Sequence, residues 1–469
     1  MILAATMTCR DDNSQYAAAR AIVQRLVDAG HQAYLAGGCV RDMLLGREPL
    51  DFDVATSATP DAVQQLFQKT QAVGASFGVV LVLPDSGREA KPIEVATFRS
   101  DGAYSDGRRP DAVRFSTSPE EDVKRRDFTI NGMLLDALKD APLADSVLDF
   151  VGGRDDLRAQ LIRAIGDPQR RFAEDKLRML RAVRFAARLG FAIEDKTLAA
   201  IREQAATIAQ VSAERVRDEL TRILTEGQAR RGFELLRASG LLREVLPEIA
   251  KLEGIEQPPQ YHPEGDVWTH TLMLLDHLPA SASATLAWGM LLHDVGKPAT
   301  FTPPRDETDR IRFNNHVRVG MAIARDVLNR LRFSNDDSAQ ILSLIEHHMQ
   351  FGDVMQMKQS TLKRFLRLPK FDEHLALHYA DVMSSNKNLQ LYDFAKQHHE
   401  AMGEEQLRPP LWLTGRELIA AGYRPGAQFK AMLLAAEDAQ LEGRIHSAAD
   451  ALALVKQAFG EPPTAAEHA

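Results

Sequence analysis

The stretch Leu50-Asp51-Phe52-Asp53-Val54 reads as a β-strand with two unlike faces. Side chains alternate along a strand, so Asp51 and Asp53 project to one side while Leu50, Phe52 and Val54 bury on the other. Two carboxylates on one face invite a divalent cation, and oxygen ligands suit magnesium. Without a cation they repel, and one tends to keep its proton. Read alone, a D-x-D pair is more often the solvated edge of a sheet. Just upstream stands Gly37-Gly38-Cys39-Val40-Arg41-Asp42. Two glycines between a strand and a helix let backbone N–H groups approach a phosphate, and the helix N-terminus adds a favourable dipole. Arg41 would neutralise triphosphate charge. Glycines and acids together are more specific than either alone.

The surrounding chain has 469 residues, enough for about three domains. Its apolar fraction of 45% and charged fraction of 26% are those of an ordinary soluble protein. Cys9 and Cys39 are too far apart for a CxxC metal or redox motif, which fits a reducing, cytoplasmic setting. Residues 1–13 lack a long apolar run and a cleavage site, so no export signal is expected. No apolar stretch reaches the ~18 residues of a membrane span. A net charge of −8 argues against a chain that coats nucleic acid everywhere. Between Arg158 and Arg231, however, sixteen Lys/Arg stand against ten Asp/Glu. That basic middle suits either a local RNA-binding surface or a solvated helix face.

Periodicity predicts a helix over 17–30 and strands over 33–36, 50–55, 78–83, 93–98, 113–116 and 131–135, an α/β head spanning 17–150. Helical spacing then dominates, with helices over 172–189, 196–208, 213–224 and 228–239 making a neck and body, 151–252. Pro258, Pro259, Pro263 and Gly265 mark 253–266 as a linker. A helical domain over 267–385, with a polar loop at 302–310, is followed by a helical tail, 386–460. Two helices are expected after the break at 408–410, and 460–469 reads as a frayed end. No internal repeat is present.

Gly37-Gly38-Cys39-Val40-Arg41-Asp42 with Asp51-Phe52-Asp53 resembles the head of class II tRNA nucleotidyltransferases, the CCA-adding enzymes of the polymerase-β-like superfamily. The resemblance continues through Arg125-Arg126-Asp127-Phe128-Thr129-Ile130-Asn131, Asp149-Phe150-Val151-Gly152-Gly153 and Glu174-Asp175-Lys176-Leu177-Arg178-Met179-Leu180-Arg181. It covers roughly residues 30–240, with the motifs in family order. The resemblance implies that Asp51 and Asp53 hold two Mg²⁺ ions, which activate an RNA 3′-hydroxyl and stabilise the leaving pyrophosphate. Glu94 matches the family's third carboxylate, though it also reads as a strand-surface acid. Gly38 and Arg41 would meet the triphosphate. Arg126, Asp127 and Asn131 would bind ribose and phosphates, favouring RNA precursors over DNA ones. The run 99–114 resembles the family's flexible loop, or is an ordinary hydrophilic hairpin.

Asp175 and Arg178 stand three apart on a predicted helix and share a face; outside this family a surface ion pair would be the default. The resemblance makes them the readers of the base. Cytosine and adenine each set an exocyclic amine beside a ring-nitrogen acceptor. A carboxylate accepts from the first and a guanidinium donates to the second. Uracil and guanine reverse both positions, so one pair takes C and A and rejects U and G without a template. Arg181 and Arg184 extend this basic ridge toward nucleotide or primer phosphate, whereas Arg188 reads as a solvated charge.

In the second half, His270 is followed by His293-Asp294-Val295-Gly296-Lys297, then His316, His347-His348 and Asp381. A lone histidine is usually a surface or satisfied core residue. Histidines and acids on successive helices can converge in a bundle, and imidazole with carboxylate suits a transition metal. The order resembles an HD-domain phosphohydrolase, with His270, His293, Asp294 and Asp381 as the matching ligands and His316 and His347 completing a second site. The resemblance implies metal-assisted hydrolysis of a phosphate ester as a further activity. In the tail, Leu413-Thr414-Gly415-Arg416 reads as a helix start and is followed by Gly422-Tyr423-Arg424-Pro425-Gly426; the tail is expected to pack as a helix pair or to rest against tRNA.

The function implied is addition of CCA to the 3′ end of tRNA from CTP and ATP, with tRNA and not DNA as partner and no membrane involved. An A-adding or CC-adding enzyme and a poly(A) polymerase share the same head. Poly(A) polymerases usually carry a basic segment before the third carboxylate strand, where this chain reads Val73-Gly74-Ala75-Ser76-Phe77-Gly78-Val79-Val80. One departure from the family pattern is Gly132, where alanine is common; glycine there would loosen the turn after Asn131. A phosphohydrolase whose N-terminal half only binds RNA is disfavoured by the intact Asp51/Asp53 pair.

Overall fold

The computed structural model describes residues 14–72, 78–84, 91–101, 113–306 and 308–462. The readings of residues 1–13, of most of 99–114, of 73–77 and of the last residues of 460–469 lie outside the described residues. The chain divides into two compact units, Met1–Ala250 and Lys251–Ala469. No helix among the described residues is long and apolar enough to cross a membrane.

The first unit opens with strands β1 (Ala33–Ala36), β2 (Asp53–Thr56), β3 (Thr70–Ala72), β4 (Val79–Val82) and β5 (Ile93–Thr97), then β6 (Arg99–Asp101), β7 (Val113–Phe115), β8 (Met133–Leu135) and β9 (Val147–Asp149). The main sheet runs β3-β4-β5-β2-β1-β8-β9, while β6 and β7 form a separate antiparallel pair. Its strands are short runs whose apolar side chains (Leu35, Val54, Val80, Ile93, Val95, Leu134) are buried. The amphipathic helix Ser14–Asp28 packs on β1 and β2. β2 and β5 pair in parallel, with Asp53 beside Glu94. That register sets two carboxylates on one face of neighbouring strands, ~4.8 Å apart in backbone terms.

The D-x-D reading holds in its alternation and shifts in its extent. Phe52 and Val54 are buried, and Asp51 and Asp53 are exposed. The strand, however, starts only at Asp53, and Leu50 is 67% exposed rather than buried. The expected strand over 131–135 is divided: Thr129–Asn131 forms a 3₁₀ turn ahead of β8, which swings Asn131 off the sheet.

The rest of the first unit is helical apart from a short parallel strand pair, Leu161–Ile162 with Ala192–Ile193. The predicted helix over 172–189 is two helices, Pro168–Glu174 and Leu177–Leu189, with Asp175 extended at φ −142° and ψ 105° between them. The Asp175 carboxylate accepts the Leu177 N–H at 3.2 Å, and this local alternative to the helical ladder ends the first helix. Asp167 caps that helix through the Gln169 N–H, with Pro168 at its first position. The helices Asp195–Gln204, Ala213–Thr225 and Ala229–Ala238 follow, and Phe172 and Phe233 are completely buried.

The second unit is all helical apart from isolated bridges. Its central helices are Val267–Leu275, Ala284–Leu292, His316–Arg330, Asn335–His347 and Phe371–Ser384. Asp266, Ser283 and Ser334 cap the first, second and fourth by accepting main-chain N–H groups. The polar stretch over 302–310 is closed at its base by an antiparallel bridge between Thr302 and Arg312. Beyond residue 410 the described residues form three helices, not two: Gly415–Ala420, Phe429–Leu441 and Ala448–Phe459. They share an apolar cluster around Leu418, Met432, Ala436 and Val455, the packing alternative of the sequence reading.

Candidate active site and metal centre

A cleft of about 620 Å³ in the first unit is lined by Gly37, Gly38, Arg41, Asp51, Asp53, Arg126, Asp127, Asn131, Asp175, Arg178, Arg181, Arg184, Arg188 and Arg215, among others. Glu94 does not line it but stands beside Asp53 at the sheet surface. Desolvation at the cleft floor and the neighbouring Glu94 push the Asp53 carboxyl up to about 6, with Arg126 opposing and Asp51 reinforcing. Acids this close hold a proton for want of a cation.

The opposite wall is a chain of ion pairs with fixed geometry. Gly37, at φ +75°, starts the helix Gly38–Leu44 and leaves only 3.2 Å between the place of a Cβ and Arg126 Nη1, so glycine is required there. Arg41 is buried and donates to Asp42 at 2.8 Å and to Asn131 Oδ1 at 2.7 Å. Asn131 in turn donates to Asp127 at 3.2 Å. Arg181 grips the other Asp127 oxygen at 2.9 and 2.6 Å. Burial alone would raise the Asp127 carboxyl; Arg181, Arg178 and the Asn131 amide bring it down to about 2. Asp122, itself buried, anchors both Arg125 and Arg126.

Asp175 and Arg178 both reach the cleft, but they are not the ion pair of the surface reading. Asp175 is held by Arg215 at 3.0 Å, from the helix Ala213–Thr225. Arg178 donates to Glu174 at 3.1 Å and to the main-chain oxygens of Arg171 and Arg125 at 3.2 and 3.0 Å. Arg184 lines the cleft but is buried and committed to Glu219 at 2.7 Å and Glu226 at 3.1 Å. Arg188 is a correction: it is not a solvated charge but faces Asp42 at 3.9 Å and Glu226 at 3.5 Å. Arg215 escaped the sequence reading; its signal was the basic excess of the middle region, which named no partner. Cys39 is buried and its thiol is pushed up to about 12 by burial, so it is inert.

In the second unit the histidines and acids do converge. Nε2 of His270 faces Asp381 Oδ1 at 3.1 Å and Asp294 Oδ2 at 3.9 Å, and Nε2 of His293 lies 3.1 Å from Asp294 Oδ2. Neither Nε2 atom makes a hydrogen bond, though both are buried. The other Asp294 oxygen lies 3.7 Å from His316 Nε2 and 3.9 Å from His348 Nε2. Three three-ligand groups result among the described residues, His262/Glu264/His270, His270/His293/Asp381 and Asp294/His316/His348, with Asp294 joining the last two. His348, not His347, joins His316. Successive helical residues point about 100° apart, and His347 turns instead to the Ser343 oxygen at 2.8 Å. Burial would lower the His270 pKa, but Asp381, Glu264 and Asp294 push it up to about 9. A pocket that pulls a proton so strongly onto an imidazole favours a divalent cation in its place. The adjoining cavity, about 520 Å³, is lined by Lys297, Arg310, Arg312, Phe313 and Tyr261 as well as by His293, Asp294, His316, His348 and Asp381.

The paired strand carboxylates, the glycine turn and the helical wall define a metal-dependent nucleotidyltransferase head followed by an HD metal centre. The family profiles agree: "Poly A polymerase head domain" matches residues 33–163, "Probable RNA and SrmB- binding site of polymerase A" matches 190–252, and "HD domain" matches 265–454. The CCA-adding enzyme of Bacillus velezensis is 40% identical over 294 residues, covering 61% of this chain and 71% of the relative. That of Geobacillus stearothermophilus is 44% identical over 232 residues, covering 50% of this chain but only 55% of the relative. The crystal structure of the Bacillus stearothermophilus CCA-adding enzyme in complex with CTP has a TM-score of 0.71 at 26% identity, covering 95% of this chain and 98% of that one. The chain belongs to the CCA-adding enzyme family.

Proposed function

We propose that this protein adds C, C and A to the 3′ end of tRNA from CTP and ATP, without a template, in the cytoplasm. The observation that carries the reading is the alignment of Asp53 with Glu94 at the foot of a cleft whose helical wall presents Asp175 and Arg178. Kinship with an enzyme solved in complex with CTP supports the substrate class. Asp51 and Asp53 would hold Mg²⁺, with Glu94 as the third acid. Bound there, Mg²⁺ supplies charge neutralisation to the attacking and leaving oxygens of nucleotidyl transfer.

The chain's own groups bind and orient. Arg41 and the Gly37-Gly38 turn meet the triphosphate. Arg126, Asp127 and Asn131 hold ribose and phosphates; Asn131 is tied to Arg41 and Asp127, and Arg126 to Asp122. Asp175 accepts from the exocyclic amine of C or A, and Arg178 donates to the ring nitrogen. Arg181 contributes phosphate contact. Because Arg184 is bound by the buried Glu219 and the partly exposed Glu226, its role is to fix the wall more than to touch substrate. The domain division follows: head 17–150, neck and body 151–252, HD domain 267–385 and tail 386–460.

Primer extension with purified protein and Mg²⁺ tests the reading, using tRNA transcripts ending at the discriminator base, C or CC. Addition of C, C, A and then a stop supports it. Addition of A alone to the CC end moves the protein to the A-adding class, addition of C only to the CC-adding class, and long A tracts to the poly(A) polymerases.

A second reading, phosphate-ester hydrolysis in the HD unit with a transition metal, is favoured by the orphaned Nε2 atoms of His270 and His293 beside Asp294 and Asp381. Metal analysis of the purified protein and of Asp294→Ala tests it. A wild-type protein that never binds a transition metal removes the reading.

A further inference from the structure

The prolines and glycine of the stretch before His270 suggest a passive linker, but its side chains enter the metal centre. Gly254 N donates to Asp266 at 2.7 Å, Val267 N to the Ile255 oxygen at 3.0 Å, and Glu256 bridges to Asp266. These bonds close the segment 254–266 on itself, at the start of the His270 helix. From within it, Gln257 is buried and accepts from Lys297 Nζ at 2.7 Å. The same Nζ lies 2.6 Å from Asp294 Oδ2. Further along, Glu264 Oε1 accepts from His262 Nδ1 at 2.8 Å and from His270 Nδ1 at 2.7 Å.

His270 differs here from the other ligand histidines. His293, His316 and His348 donate Nδ1–H to main-chain oxygens three residues back, of Met290, Phe313 and Ile345, at 2.9, 3.0 and 2.7 Å. Their ring orientation is therefore set within their own stretch of chain. His270 takes its Nδ1 partner from the carboxylate of Glu264. Because Glu264 keeps the proton on Nδ1, Nε2 is the nitrogen that faces Asp381 and Asp294 and would ligate a cation in place of its own proton. A carboxylate behind a ligand imidazole fixes its tautomer and raises its basicity.

We propose that residues 254–266 form a strap that assembles the HD metal centre, with Glu264 as the positioning residue that orients His270. The proposal rests on the reading of this cluster as a divalent-metal site. Strap closure and metal binding are then linked, because Glu264 holds His270 ready only when the strap is docked, and bound metal holds the strap closed through the same bond. The neighbouring Gln257–Lys297–Asp294 chain ties the start of the strap to the acid shared between both ligand groups.

The test is Mn²⁺ binding to the full-length protein, measured by calorimetry for wild type, Glu264→Ala, Glu264→Gln and Asp294→Ala, with circular dichroism of each. Loss of second-sphere partners typically weakens metal binding about 10–100-fold, and that loss is expected for Glu264→Ala. In parallel, hydrogen exchange of the wild type should show amides of 254–266 becoming protected on adding Mn²⁺, a readout independent of any variant's folding. Wild-type affinity in a folded Glu264→Ala protein, or a strap whose exchange ignores Mn²⁺, overturns the proposal while leaving the metal site standing. A wild type that binds no Mn²⁺ overturns the metal reading itself, and the strap with it.

Discussion

Arg215 holds Asp175 at 3.0 Å from a helix forty residues further along the chain. The carboxylate expected to accept the base amine is thus oriented by a partner that a local motif does not contain. Replacing Arg215 by alanine should free Asp175 to rotate. Loss of one charge-assisted hydrogen bond is worth about 1.5–3 kcal/mol, so incorporation efficiency with CTP and ATP should fall roughly 10–100-fold, with UTP and GTP falling less. Single-turnover incorporation of all four nucleotides measures this. An unchanged selectivity profile would remove Arg215 from base selection.

Asp53 predicts a pH dependence. Its carboxyl is raised from 3.8 to about 6 in the folded protein. Between those values the folded chain keeps a proton that the unfolded chain has released. The group's contribution to stability is therefore fully present below 3.8 and is lost as pH rises through about 6. A divalent cation replaces that proton, so stabilisation by Mg²⁺ should be small near about pH 5 and grow toward about pH 7.5. Melting temperatures with and without Mg²⁺ across this range test it, and Asp53→Asn should flatten the dependence.

Glu219 and Arg184 are both buried and bonded at 2.7 Å. Removing the acid leaves the buried guanidinium with only the partly exposed Glu226 as a partner. Glu219→Ala should destabilise the first unit by about 3–5 kcal/mol, seen as an early transition in denaturant unfolding. Glu226, on the same guanidinium at 3.1 Å but partly exposed, should cost less.

At Gly132 an added Cβ would come within 2.8 Å of Val151 Cγ2 and 3.0 Å of Ile165 Cδ1. The glycine therefore packs the turn after Asn131 tightly and does not loosen it. Gly132→Ala should cost about 1–3 kcal/mol by overpacking. Gly153→Ala should cost more, since its Cβ would meet the main-chain oxygen of Thr129 at 2.2 Å. Thermal unfolding of both variants tests the ranking.

The histidine pair at 347–348 gives a metal prediction. His348 faces Asp294 and His316, whereas His347 is bonded to its own helix. His348→Ala should lower the metal content of the HD unit and His347→Ala should leave it intact, as measured by elemental analysis of the purified proteins.

Much of the architecture was readable because it is written in local pattern. Alternation at Asp51–Val54 and helical spacing from 177 onward depend on which side chains can be buried together, and near neighbours settle that. The misreadings fall where a polar side chain competes with the backbone ladder: Asp175 ends a helix that apolar spacing alone would continue, and Asn131 sits in a 3₁₀ turn that reads as strand. The strap at 254–266 was taken for a linker because proline and glycine mark irregular chain equally well whether it is free or docked.

By itself, the sequence determined the order of motifs and the chemical types at the head site, since these follow from residue identity and short-range periodicity, while His270, His293, Asp294 and Asp381 were named by their resemblance to an HD domain. Only the tertiary structure decided which groups face one another. It set Glu94 beside Asp53, gave Asp175 to Arg215, gave Arg184 to Glu219, and chose His348 over His347. The physical reason is that hydrogen bonds and ion pairs act over about 3 Å, and distant parts of a chain come within that range only when the core has packed.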